Sequence, residues 1–363
     1  MSVHSPHPGP ESPRLTEIAR REFSPDGVYL DTATMGLPPR RTLAAVEAAM
    51  DRWRRGVDDA RAYDEEVESA RSSYATLVGL EPSHVSVGAQ VSSYVGLVAA
   101  SLPPGSEVLT ATGDFTSVLF PFHAQAARGV TVREAPLERL AEDVTRSTTL
   151  VAVSAVQSAD GRVADLDALV RACADTGTRI LLDTTQAAGW LPIDASRFTY
   201  TTGSGYKWLL APRGTAFFTV SPEHVEDLVP VAAGWYAGDD RWSSIYGSPL
   251  RLASDARRFD VSPAWHPWAG QAASLSLLLE VGAPALHAHA VGLSDRFLDA
   301  MSLPRHGSAI VAFEADEQVP ELLSRAGIAA SNRAGRLRLS FHLSTTEDDV
   351  DRAAEALRGH LRR

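Results

Sequence analysis

Lys207 is the single lysine in a 363-residue chain that carries thirty-three arginines. Arginine replaces lysine wherever a plain positive charge suffices. It fails where a neutral amine must attack a carbonyl, because a guanidinium keeps its proton in proteins. The lone lysine is therefore a candidate for imine chemistry, against the rival reading of one surface lysine surviving by chance. Three nearby strand ends carry matching chemistry. RILLDTTQ ends in Asp183 with Gln186 three residues on. FTYTTGSGYKW runs into Ser204, Tyr206 and Lys207, and TTLVAVSAVQSADG runs into Gln157 and Ser158. Ligands sit at the C-terminal ends of strands in a parallel α/β sheet, so these groups would converge on one crevice.

The elements that would position them follow an alternating pattern. Short β-rich runs at 85–87, 107–111, 131–135, 148–156, 179–185, 198–204 and 214–220 are predicted strands. Helical stretches separate them, at 92–100, 120–127 and 166–175, after a helical region over 40–78. Such alternation predicts βαβ units and a mostly parallel central sheet with helices on both faces. After a loop-rich, Trp-bearing stretch come helices near 269–281 and 284–300, a strand at 306–315, a helix at 317–326, a strand at 336–341 and a helix at 346–361. That half predicts a smaller α+β domain. The boundaries expected are an N-terminal arm over 1–27, a large domain over 28–240 and a small domain over 241–363, with 241–283 as connection and interface.

Composition excludes several classes. With 44% hydrophobic and 22% charged residues, the chain is an ordinary globular protein of two-domain size. Its net charge of −11 argues against a nucleic-acid partner. No apolar run is long enough for a membrane span, and the polar, Pro-rich N-terminus does not read as a secretory signal. A cytoplasmic location is expected. Cys173 is the only cysteine, so no internal disulfide and no cysteine-built metal cage is expected. Its neighbours Leu166, Leu169 and Val170 follow helical spacing, which makes it core filler. His287 and His289 are two apart on a predicted helix and cannot share a metal, so no metal site is expected.

Four segments in order resemble the class V branch of the fold-type-I pyridoxal-phosphate (PLP) enzymes, the branch of kynureninase, cysteine desulfurase and isopenicillin N epimerase. They are LDTATMGLPP (30–39), DTTQ (183–186), SGYKW followed by APRGTAFF, and LRLSFHLSTTEDDVDRAAEAL (337–357). The resemblance implies a fold-type-I α/β architecture and PLP as cofactor. Lys207 would hold PLP as an imine and then act as acid and base. Asp183 would keep the pyridine nitrogen protonated, and Gln186 would bond the ring oxygen. Asp183 as a simple helix cap is the competing reading. VGAQVSSYVGLVA aligns with the phosphate-binding segment, which puts Val91 and Ser92 on the phosphate with Ser204 and Tyr206. Phe115 falls on the ring-stacking position, where plain core is the alternative, and Ser158 falls beside the ring oxygen. Arg338 matches the carboxylate-binding arginine. Arg336 is its rival, two residues away on the same strand face, and a surface salt bridge is the bland reading of either. Thr34 and Trp235 join the expected substrate contacts, although aromatics in such loops are more often core or interface.

The desulfurase loop before Arg338 reads GIAASNRAG, without cysteine. Persulfide-forming desulfuration is therefore disfavoured. The resemblance leaves lyase-type cleavage of a β-substituent (C–S lyase or kynureninase-like) in front, with aminotransferase or epimerase chemistry as the alternative. A non-catalytic PLP-binding protein is the outlying reading. A homodimer acting on a small amino acid or amino-acid conjugate is expected.

Overall fold

The computed structural model describes residues 13–360. The first helix is α1 (Pro13–Glu22), followed by the two-residue strand β1 (Val28–Tyr29) and by α2 (Arg40–Arg54) and α3 (Tyr63–Leu77). Part of the segment expected as an arm is thus helical, and Leu15, Ile18 and Phe23 are buried in the main core. Residues 1–12 lie outside the described residues. The helical region expected over 40–78 is broken where Gly56 takes φ +68, a conformation that costs glycine little.

The central elements then alternate: β2 (Val85–Gly88), α4 (Val91–Ser101), β3 (Glu107–Ala111), α5 (Thr116–His123), β4 (Thr131–Ala135), β5 (Thr148–Ser154), α6 (Leu166–Thr176), β6 (Arg179–Asp183), β7 (Tyr200–Ser204) and β8 (Ala216–Val220). They form one seven-stranded sheet in the order β2-β8-β7-β6-β5-β3-β4. The pairs β4–β3–β5–β6–β7 are parallel, and β8 runs antiparallel to both β7 and β2. Alternate residues point to opposite faces of a strand. Leu109, Val151, Leu182 and Phe217 accordingly enter one core, and Val108, Leu150, Leu181 and Phe218 enter another. Both faces are covered, which is why these runs read as nearly all apolar. α5 starts at Thr116, four residues ahead of the expected stretch.

The C-terminal part holds α7 (Trp265–Val281), α8 (Ala283–Ala300), β9 (Ile310–Phe313), α9 (Val319–Arg325), β10 (Ile328–Ala329), β11 (Ser331–Arg333), β12 (Arg336–Ser340) and α10 (Glu347–Leu357). β11, β12 and β9 make a three-stranded antiparallel sheet. α10 opens on a capping box in which Thr346 and Asp349 satisfy each other's backbone amides. β1 pairs in parallel with β10, so Val28 and Leu30 belong to the same core as Leu337 and Phe341. The segment 30–39, which turns at residues 32–34, thereby runs from the small sheet to the loop after β7, where the Gly36 amide meets the Tyr206 carbonyl. Among the described residues no helix is long and apolar enough to cross a membrane.

Candidate active site

The C-terminal ends of β5, β6 and β7 open on a cavity. Ser154 closes β5 and Asp183 closes β6, paired with each other in register, and Ser204 closes β7. Lys207 follows three residues later. Its backbone is pinned by the segment 30–39: the Gly36 amide donates to the Tyr206 carbonyl at 2.9 Å. A side chain at Gly36 would run into the Lys207 carbonyl, so the close approach requires glycine.

The Lys207 side chain is buried at 6% exposure and lines the cavity. Its Nζ lies 5.5 Å from the centre of the Phe115 ring and 5.7 Å from that of Tyr206. Burial pulls its pKa down to about 8. The Asp183 carboxylate works against this, and Arg338, Arg333 and Arg213 add to it. The amine is thus partly neutral near physiological pH. Asp183 is raised to about 6, chiefly by burial and further by the charge of Asp114. One of its oxygens accepts from the Thr185 amide at 2.8 Å. Nearby Ser204 Oγ is buried without a hydrogen-bond partner.

Gln186 is oriented by its surroundings. Its Oε1 accepts from the Trp208 indole at 2.7 Å, while its Nε2 donates to the Ala33 carbonyl at 2.9 Å and to Ser158 Oγ at 3.1 Å. Ser158 and Gln186 both line the cavity. The start of α4 also reaches the cavity, where Val91 and Ser92 line it and no side chain caps the helix. The first amides of a helix are unpaired and carry partial positive charge, so such an end suits an anion. Phe115 lies half-exposed at the cavity wall.

Arg338 is held beside the cavity rather than on its wall. Its Nη1 donates to the Ser158 carbonyl at 2.6 Å and to Ser158 Oγ at 3.1 Å, and its Nη2 donates to Thr34 Oγ1 at 2.7 Å. Thr34 is therefore brought to Arg338. Arg336 is not: it is exposed at the hairpin end, opposite Arg333 in register, and does not line the cavity. Strand alternation gives the two arginines one face, but Arg336 adjoins the Gly335 turn, where the sheet no longer covers it. Trp235 also stays outside. It packs against Tyr236 and Trp242, on the side of the molecule where Asp64 receives both neighbours' polar hydrogens. Cys173 is buried in α6, with its thiol pushed up to about 11 by burial.

Three residues that the sequence does not single out matter here. Asp114 is buried and accepts from the Ser154 amide at 2.8 Å, Ser154 Oγ at 2.5 Å, Gln157 Nε2 at 3.2 Å and the Phe115 amide at 2.6 Å. In the sequence its GDF setting reads as an ordinary turn, since Ser154 is forty residues away. Arg213 lines the cavity with its guanidinium 5.0 Å over the Tyr206 ring. Arg333 shares the Thr34 hydroxyl with Arg338, at 3.0 Å.

This donor set fits pyridoxal phosphate. A desolvated carboxylate at Asp183 awaits a cationic N–H, a partner-less Ser204 hydroxyl and an uncapped helix end await an anion, and a partly neutral lysine stands beside an exposed ring.

Comparison with known proteins agrees. The family model for "Aminotransferase class-V" matches residues 28–319. The chain is 29% identical to an isopenicillin N epimerase of Streptomyces clavuligerus, over 79% of this chain and 83% of that one. It is 27% identical to a kynureninase of Deinococcus radiodurans, over 78% and 73%. In fold it is similar to the cystine C-S lyase C-DES, solved with its reaction product cysteine persulfide, with a TM-score of 0.84 at 21% identity over 93% and 98% of the two chains. The match of sequence, fold and donor set makes this chain a member of the class-V aminotransferase family, an enzyme whose cofactor is pyridoxal 5′-phosphate.

Proposed function

We propose that the enzyme removes a β-substituent from a small amino acid or amino-acid conjugate, without a catalytic cysteine. The observation that carries the reading is the pairing of a complete site around Lys207 with a sole cysteine that is buried in α6. When bound, PLP supplies an aldehyde for amines and a conjugated ring that accepts the electrons of a bond broken at the α-carbon. Asp183 would hold the ring nitrogen, and Gln186 and Ser158 the ring oxygen. Val91, Ser92, Ser204 and Tyr206 would take the phosphate, with Arg213 at its rim. Phe115 would cover the ring face. Lys207 would hold the cofactor at Nζ and, when free, would move the proton at the substrate α-carbon, a task suited to an amine titrating near 8. Arg338 would orient the substrate through its α-carboxylate, exchanging the neutral acceptors Thr34 and Ser158 for a charged one.

The second reading is epimerisation or transamination, favoured by the likeness to isopenicillin N epimerase over most of both chains. A homodimer is also proposed, because α2 and its exit expose Leu43, Met50, Trp53 and Val57. The test is a product screen of the PLP-loaded enzyme with β-substituted amino acids, including cysteine conjugates and L-kynurenine. Release of the side-chain fragment, retained in Cys173→Ala, is expected. α-Carbon inversion or amino transfer with the side chain intact would instead establish the second reading.

A further inference from the structure

Arg333 is exposed and off the cavity wall, as Arg336 is, yet unlike Arg336 it reaches the same hydroxyl as Arg338. Thr34 Oγ1 accepts from Arg338 Nη2 at 2.7 Å and from Arg333 Nη2 at 3.0 Å. Two guanidinium groups therefore converge on one neutral oxygen. Arg338 is pulled down to about 10, by burial first and by the Arg333 charge second. Asp31, 3.8 Å from Arg338, offsets part of that charge. For Arg333 itself, no carboxylate of the described residues lies within ion-pair distance, and its other hydrogen bond goes to the Asn332 carbonyl. Most other arginines of the molecule are matched by acids, as in Arg296 with Asp351 or Arg41 with Glu22.

We propose that Arg333 is a specificity residue, and that the substrate is a short-chain amino acid with a second acidic group (a carboxylate, sulfinate or sulfonate on its side chain). The α-carboxylate takes Arg338 and the side-chain anion takes Arg333. This rests on the reading of Arg338 as the α-carboxylate anchor. A guanidinium that shares a neutral hydroxyl gains most when a real anion arrives, because a charge-assisted bond replaces a weaker one.

The experiment is a titration of the PLP-loaded enzyme, followed by the cofactor's visible absorbance. The probes are L-aspartate, L-glutamate and L-cysteate against L-asparagine and L-glutamine. At least one diacid is expected to perturb the band at roughly ten-fold or lower concentration than its amide. In R333Q that preference should vanish while the enzyme still forms its band with PLP. R336Q removes the same charge from the same hairpin and should keep the preference. Equal binding of acids and amides, or equal loss in R336Q, overturns the proposal and leaves the proposed reaction standing. A wild-type protein that forms no band with PLP overturns both. A preference that survives R333Q but is lost in R338Q assigns the side-chain anion to Arg338 and also overturns it.

Discussion

The Trp208 indole donates to Gln186 Oε1 at 2.7 Å, and this bond settles which end of the amide faces the cavity. With Oε1 occupied, Nε2 is left to donate to the Ala33 carbonyl and to Ser158 Oγ. The residue next to the candidate imine lysine therefore sets the polarity of a residue from a different strand end. Trp208→Phe keeps the aromatic packing against Trp190 but orphans a buried acceptor, at a cost of about 1–3 kcal/mol. The expected result is a lowered melting temperature and a several-fold weaker hold on PLP, read by equilibrium titration. Unchanged PLP affinity would show that the amide orients itself.

Asp114 should matter as much as the residues that touch the cavity. It ties the Phe115 amide to Ser154 at the end of β5. Asp114→Asn turns one of its acceptor atoms into a donor facing other donors. A loss of stability of about 1–3 kcal/mol is expected, together with weaker induced circular dichroism from bound PLP as Phe115 loosens. If the dichroism stays at the wild-type level, Phe115 is held by other means.

Lys207 gives a pH signature. Only its neutral amine can attack the PLP aldehyde, and its pKa lies at about 8 in the protein without cofactor. The second-order rate of PLP capture by the apo-enzyme should rise with pH and level off above that value. A rate that keeps climbing to the ordinary lysine range would mean that burial does not act on the amine as described.

Asp183 gives a stability signature of definite sign. Its pKa is about 6 in the fold and about 4 in an unfolded chain, so the folded apo-protein favours the protonated form. The stabilising contribution is present below the unfolded value and is lost as pH rises through about 6. Above that, the buried carboxylate costs on the order of 2–3 kcal/mol. Asp183→Asn should therefore raise the melting temperature of the apo-protein at neutral pH, and the gain should shrink in mild acid. The same variant should hold PLP poorly. A variant less stable than wild type at neutral pH would place the carboxylate in a better-solvated setting.

Much of this architecture could be read from the residues alone, for identifiable reasons. Runs such as LVAVS are apolar throughout because both faces of the sheet are covered, and that signal needs no partner. Asp183, Ser204 and Lys207 fall where parallel strands end, so topology alone gathers them. What escaped reading depends on distant partners. β1 and β10 are two residues each, too short for any periodicity, and exist because they pair. Asp114 looks like a turn residue until Ser154 is brought beside it. Arg336 and Arg338 share a face by alternation, and only the place of the Gly335 turn separates the exposed one from the buried one.

The pairing of β1 with β10, and of Asp31 with Ser340, brings residues separated by three hundred positions into direct contact. The Ala33 amide donates to Ser340 Oγ at 3.0 Å, three residues before Gly36 meets the lysine backbone. The loop that carries Lys207 is thus braced by residues 33–36, which are in turn tied to the C-terminal strands. Contacts of such high sequence separation pay their loop-closure entropy late. The support that residues 30–36 give the lysine-bearing loop is therefore expected to lock late in folding. Tight cofactor binding is accordingly expected only once strands β10 and β12 are in place.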